Sequence, residues 1–382
     1  MQADFVDHND QCWTEFLSET PHDMYHLPGY VRLCADQDDG EAIAFIAEQE
    51  NNRLLFPLII RRIEHGNSQL GTLFDVASPY GYPSPLLSSD QSEEEQTRFL
   101  NAALEKLMAG LRQRGVVSAF VRLNPLLPLP LEPFRKHGTL VLHGQTVFND
   151  LTESEDELWK QTRKSTRKIV QRCKRKGYVA EMDCQWDHFE VFHSIYLKTM
   201  RRLAADESYL FSRQYFYELR DVLNGDLQIG IVRLGNEVTC ASMYSEVGGI
   251  VQAHLSGARP EFNKDSPTTL LDHYARSWAK QRGNHIFHMG GGRGGTNDSL
   301  FQFKAGFSKQ RADFYTLRIV VQEDAYRELT AQRSQEDDWV GDDRSSFFPA
   351  YRRIQSPDIS PGRSQSRPPS TEHPNAMLRP SR

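Results

Sequence analysis

Three apolar runs, Leu227 to Leu234, Val238 to Ser245 and Ile250 to Ser256, are separated by Gly235-Asn236 and Gly248-Gly249. Glycine and asparagine suit tight reversals, so the runs predict an antiparallel meander. A helical stretch opening at Ser266-Pro267 then leads to a short apolar run, His285 to Met289. Strands and helices mixed in this way predict an open α/β sheet with helices around it, rather than a bundle. The helix puts Leu270, Leu271, Tyr274, Ala275 and Trp278 on its expected core face and ends near Gly283.

The first half of the chain is built from the same kinds of segment. Short helices are expected from Asp10 to Leu17 and after Pro28, and paired strands from Glu41 to Gln49 and Leu54 to Ile63. Leu73 to Ala77 reads as a further strand. It is followed by Ser78-Pro79-Tyr80-Gly81-Tyr82-Pro83-Ser84-Pro85, a turn stiffened by proline and lined by two aromatics. Glu93 to Arg114 has helical spacing, with Leu100, Leu104, Leu107, Met108 and Leu111 on one side. A strand from Ser118 to Leu123 and a last one from Phe314 to Val321 complete the pattern. With 382 residues the chain can hold two ordinary domains, expected at 1–149 and 150–331. The Ser/Pro/Arg-rich stretch 332–382 has no packing period and is expected to be a mobile tail.

A formal net charge of −6 argues against general coating of nucleic acid, while leaving room for a local basic patch. One such patch is conspicuous. A helix expected from Trp159 to Lys176 carries Arg163, Lys164, Arg167, Lys168, Arg172, Lys174, Arg175 and Lys176 with no acid among them. Thr166, Ile169, Val170 and Cys173 form its packing face, so the other face is free to meet RNA or to remain a solvated charge run. Cys12, Cys34, Cys173, Cys184 and Cys240 make neither a CxxC pair nor a dense disulfide pattern, and no stretch is apolar enough to span a membrane. A reducing cytoplasm, with at most peripheral contact at the inner membrane face, is the expected location.

Near residue 290 the pattern becomes site-like. A short strand runs into Gly290-Gly291-Gly292-Arg293-Gly294-Gly295, and a short helix follows, capped by Asp298 and stopped by Gly306, with Phe303 and Lys304 on its turn. The glycines lack the lysine placement of a Walker loop and the context of a dinucleotide fingerprint. His285 and His288 project to different strand faces, so no shared metal is expected.

The ordered segments SPYGYPSP, RKSTRKIVQRCKRKG, LFSRQYF, VQAHLSGARPEF and HMGGGRGGTNDSLFQFKAGF resemble the FemAB-like branch of GNAT-fold acyltransferases, which overlaps the BioF2-like acetyltransferases. The resemblance covers much of Glu41 to Val321. It implies tandem GNAT-like mixed-sheet domains, the first on the acceptor side and the second contributing much of the donor side. It also implies a transferase that moves an activated acyl group to an amine, with no permanently bound cofactor. The donor would be aminoacyl-tRNA or acyl-CoA, and the acceptor an amine-bearing small molecule, peptide or cell-wall precursor. The chain has no RxxGxG/A phosphate loop and no long inserted helical hairpin, two departures from patterns found among relatives.

The resemblance places Phe303 and Lys304 near the acceptor and reaction centre. Direct acyl transfer needs an amine held near an activated carbonyl, a proton acceptor and stabilisation of the developing oxygen charge. Lys304 is the first candidate for the charge-stabilising role. His254 is a candidate for orienting or deprotonating the amine, against a hydrogen-bonded core histidine. Tyr80 and Tyr82 are candidates for framing the acceptor, against a turn packed on its own sheet. Asp298 is a substrate contact or a helix cap, and Arg259 a contact to an acidic acceptor or a surface ion pair. A non-catalytic RNA- or membrane-associated scaffold is the alternative to chemistry.

Overall fold

The computed structural model describes residues 1–64, 71–337 and 347–353. The chain divides into two compact units: Met1–Leu142 with the described residues from Tyr315 onward, and His143–Phe314.

The first unit opens with β1 (Gln2–Asp7), α1 (Gln11–Glu19) and α2 (Pro28–Gln37). It continues through β2 (Gly40–Gln49), β3 (Asn52–Arg62), β4 (Phe74–Ala77), β5 (Leu86–Ser88), α3 (Glu93–Gln113), β6 (Val116–Arg122) and α4 (Glu132–His137). Its strands lie in the order β1-β2-β3-β4-β6, antiparallel except for the parallel β4/β6 pair, and β5 pairs with β3. The crossover between β4 and β6 runs through α3. Ser92 and Glu95 cap that helix reciprocally, and its Leu100, Leu104, Leu107 and Leu111 pack with Phe45, Phe56 and Val121. Each such buried side chain stabilises the core by roughly 1.5–3 kcal/mol.

The second unit takes β7 (Thr139–Asp150) from His143 onward, then α5 (Glu155–Gln161), α6 (Lys164–Arg175), β8 (Tyr178–Asp183), α7 (Phe189–Arg202) and α8 (Arg213–Val222). After these come β9 (Leu227–Leu234), β10 (Glu237–Val247), β11 (Ile250–Ala258), α9 (Pro267–Gln281), β12 (Ile286–Gly290) and α10 (Ser299–Lys304). The strand order is β8-β9-β10-β11-β12-β7, antiparallel except for β11/β12. The expected meander is therefore present, extended at one edge by β8, and α9 crosses over from it to the parallel β12. The chain then returns to the first unit with β13 (Arg311–Val320), whose Thr316–Val320 stretch pairs antiparallel with β6, and with α11 (Glu323–Asp337).

The two units repeat one scheme. An antiparallel series of strands ends in a helical crossover to a parallel strand, and an antiparallel strand closes the sheet. The closing strand is β13 in the first unit and β7 in the second; β7 opens its unit's run of sequence, whereas β13 reaches the first unit only after the second is complete. This moves the expected boundaries. Val147–Asp150 pair with β12, so the second unit begins before residue 150, and residues 315–331 belong with β6 in the first unit, not with the second. A strand belongs where its backbone hydrogen bonds go, and those partners are remote in sequence.

Three further expectations need correction. The basic segment is not one helix from Trp159, because α5 ends at Gln161 and α6 begins at Lys164, with Thr162 and Arg163 extended between them. The folded chain does not stop at Ala331: α11 runs to Asp337, Phe348 and Tyr351 pack with Tyr326, and Arg352 donates to Asp75. The remainder of the expected tail lies outside the described residues. On α9, Tyr274 is 36% exposed, whereas Asp272 and Arg276 are buried.

Candidate active site

The β11/β12 pairing begins at Ile250↔Ile286 and ends at Gln252↔His288, although β11 continues to Ala258. Against β10, Ala253 faces Tyr244 and Leu255 faces Met243, which leaves His254 as the extra residue of a bulge. Past the bulge, no strand among the described residues pairs with β11 on the β12 side.

A pocket of about 370 Å³, counting its open mouth, lies there. Ser242 and Met243 of β10, Ala253, Leu255 and Ser256 of β11, Asp272 of α9, Met289 of β12, and Leu300, Phe303 and Lys304 of α10 line it. The Phe303-Lys304 turn therefore faces a cavity, as the sequence reading required. Asp298 holds α10 in place by accepting from the Phe301 N–H at 2.9 Å, and its other oxygen accepts from Arg293 Nε at 3.0 Å. Burial alone would raise the Asp298 carboxyl, but these donors outweigh it and hold it below its ordinary range. Capping, the bland reading of Asp298, is what the geometry displays. A Cβ on Gly292 would come within 2.0 Å of the Thr296 carbonyl and 2.6 Å of Asp298, so the capped loop needs glycine there.

Lys304 is only 5% exposed, and its Nζ donates to the Gly291 carbonyl at 2.7 Å. The lysine thus ties its helix back to the glycine loop and, when protonated, has two more hydrogens to offer. Burial pushes its pKa down to about 7, against the attraction of Asp272 and Asp298. Asp272, 6% exposed, shares the pocket, and burial pushes it up to about 6 in spite of Tyr244 and Lys304. The Tyr244 hydroxyl donates to Asp272 Oδ1 at 2.8 Å and orients it. A buried acid and a buried amine with their pKa values drawn together near neutrality can exchange protons with a bound substrate.

Residues 160–304 match the model of the acetyltransferase (GNAT) domain, a stretch that ends on Lys304. Over 86% of its length the chain is similar in fold to the crystal structure of FemX, at 13% identity, with a TM-score of 0.64 and 99% of that chain covered. This is a FemAB-like GNAT fold. Two further structures share it more distantly. The C-terminal domain of a putative lysylphosphatidylglycerol synthetase from Agrobacterium fabrum has 14% identity and a TM-score of 0.50, over 85% of this chain and 95% of that chain. L-PGS from Bacillus licheniformis has 14% identity and a TM-score of 0.50, over 81% and 92%. No curated protein sequence matches the chain significantly.

The other candidates lie elsewhere. His254 is buried in the bulge, where burial lowers it to about 4, and the pocket lining passes from Ala253 to Leu255 without it. It is therefore neutral at physiological pH. Arg259 pairs with Glu237 at 2.9 Å on the surface. Tyr80 and Tyr82 lie in the first unit. There the Tyr80 carbonyl accepts from the Tyr30 hydroxyl, and Tyr82 meets Tyr25 edge-on at 5.8 Å. Gly81 at φ +101° lets that turn close on Tyr25, where a Cβ would lie 2.1 Å from the ring. His288 Nδ1 is 2.7 Å from Gln252 Oε1, and no group of three or more metal-binding side chains occurs among the described residues. No helix among them is long and apolar enough to cross a membrane.

The sequence reading missed Asp272. Its signal was a carboxylate bracketed by Leu271 and Ala275 on a helix, with Thr268 and Arg276 one turn away on the same face. Reading that helix only through its apolar residues turned the face toward Tyr274.

Proposed function

We propose that this protein is an N-acyltransferase or aminoacyltransferase whose chemistry is carried out by Lys304 and Asp272. The observation that carries the reading is their joint burial, with Phe303, around one pocket of a GNAT domain. An acceptor amine attacks the carbonyl carbon of an activated ester or thioester, forming a C–N bond. The ammonium proton passes to the Asp272 carboxylate, and the Lys304 cation stabilises the oxygen on which charge develops. Collapse breaks the C–O or C–S bond, and the alcohol or thiol leaves with a proton returned from Asp272. No covalent enzyme intermediate is needed.

Similarity to FemX and to lysylphosphatidylglycerol synthetase domains favours an aminoacyl ester, carried on tRNA, as the donor. An acyl-CoA donor is the second reading. It is favoured by the stretch of β11 beyond Gln252, which β12 does not pair and which lies beside the pocket, where an extended amide-bearing chain could add to the sheet. Mass spectrometry of reactions supplied separately with charged tRNAs and acyl-CoAs, each with a panel of amines, tests both. Lys304→Ala should lose at least 100-fold in turnover with the authentic pair, and unchanged turnover would reject the assignment.

A further inference from the structure

Lys304 is the only buried lysine among the described residues, and the pocket it lines is where the transfer reading seats an activated carbonyl. Its Nζ is held by the 2.7 Å hydrogen bond to the Gly291 carbonyl, so the amine is fixed in a way that a surface lysine is not. An amine near enough to hydrogen-bond a carbonyl oxygen stands within about 4 Å of the carbonyl carbon. The placement that lets Lys304 stabilise the oxygen therefore also brings an amine within reach of the carbon.

Two things keep such an amine from attacking: its own proton and a better-placed competitor. Burial draws Lys304 down to about 7, so near neutral pH much of the side chain is free amine, whereas an exposed lysine is almost wholly protonated. Asp272, the carboxylate in the pocket lining, is there to take the proton that an attack releases. The surroundings also favour the product. Acylation turns an ammonium that burial disfavours into a neutral amide, and Met243, Leu255, Met289 and Leu300 offer an apolar wall to the added chain. What remains to hold Lys304 back is the acceptor amine.

We infer that Lys304 is itself an acylation site, modified on Nζ by a bound acyl ester or thioester when no acceptor amine occupies the pocket, and that this self-modification stops turnover. The inference rests on the transfer reading for the donor it names. The free amine attacks the carbonyl carbon and a C–N bond forms. Its proton passes to the Asp272 carboxylate, the C–O or C–S bond breaks, and the alcohol or thiol leaves with that proton. The product is an Nε-acyl-lysine. It has no cation to set against developing oxygen charge, and its acyl chain occupies the pocket. Donor supplied without acceptor thus closes the site that would have consumed it.

The test gives the full chain, in an amine-free buffer near neutral pH, S-acetyl-N-acetylcysteamine, acetyl-CoA or charged tRNAs in separate arms. In at least one arm, peptide mass spectrometry should find Lys304 acylated about tenfold faster or more than the exposed Lys198 and Lys309, and urea should abolish the preference. Labelling of Lys304 no faster than those two in every arm, or a preference that survives unfolding, overturns the inference. Protein acylated on Lys304 to a measured fraction should lose that fraction of its turnover, and full turnover at complete acylation overturns the shut-off. An amine that proves to be an acceptor should slow the labelling, and labelling unchanged at saturating acceptor overturns the competition. Transfer through Lys304 without any labelling of it overturns self-acylation and leaves the transfer reading standing. Labelling of Lys304 in a protein that acylates no amine supports the modification site and removes the transfer reading.

Discussion

Lys304 and Asp272 are useful as a pair because burial moves their proton affinities in opposite directions. Asp272 rises to about 6 and Lys304 falls to about 7, so the carboxylate and ammonium forms coexist only in the interval near those values. The rate should therefore follow a narrow bell in pH, and Asp272→Asn should remove its acid limb, as a pH series of kcat/KM would show. Stability carries the same signature. Because the Asp272 pKa is raised from 3.8, its stabilising contribution is present below that value and lost as pH climbs through about 6. Lys304, lowered from 10.5, costs stability while the unfolded chain holds the proton more tightly, so stability recovers as pH rises from about 7 toward 10.5. Denaturant unfolding of Asp272→Asn should lack the decline between pH 4 and 6 and should show a gain of up to about 3 kcal/mol at pH 7. A gain in stability together with a loss in turnover would mark a group kept for chemistry.

The elements around the site are held by polar contacts as much as by apolar packing. α10 is too short to stand alone and depends on its cap, so Asp298→Ala should cost about 1 kcal/mol while Asp298→Asn keeps most of the stability, measured by thermal melting. Arg276, fully buried on α9, is the larger staple. Its Nη1 donates to Thr162 Oγ1 at 3.0 Å and to the carbonyl of Phe307 at 3.2 Å. It thereby joins the break between α5 and α6 to the segment after Lys304. Burial pushes this guanidinium down to about 10, against the attraction of Glu155. Arg276→Leu would strand several buried acceptors and should destabilise the protein by about 3 kcal/mol in urea unfolding. Both buried polar residues of α9 escape a hydrophobic-period reading, because period alone ranks Tyr274 above Asp272 and Arg276.

Across the molecule, the repeated strand scheme explains why the chain must return to its first unit after completing the second. β13 supplies the closing strand, and the segment from Phe348 to Arg352 follows it onto the same unit. Asp75 is buried there between Arg61 Nε at 3.0 Å and Arg352 Nη2 at 3.1 Å. Arg352→Ala should lower the melting temperature and expose the Asp75 region to hydrogen exchange, with a cost of about 1–3 kcal/mol for a half-paired buried carboxylate. The meander, the helix after it, the capped glycine-loop turn and the packing face of α6 were all readable in order along the chain. Each depends on residues close in sequence, where turn chemistry and periodicity act directly. The place of Asp272 beside Lys304, the burial of His254 in the bulge and the return of β13 to the first unit were not readable. They depend on which distant segments come into contact, and on how far that contact strips water from each charged group.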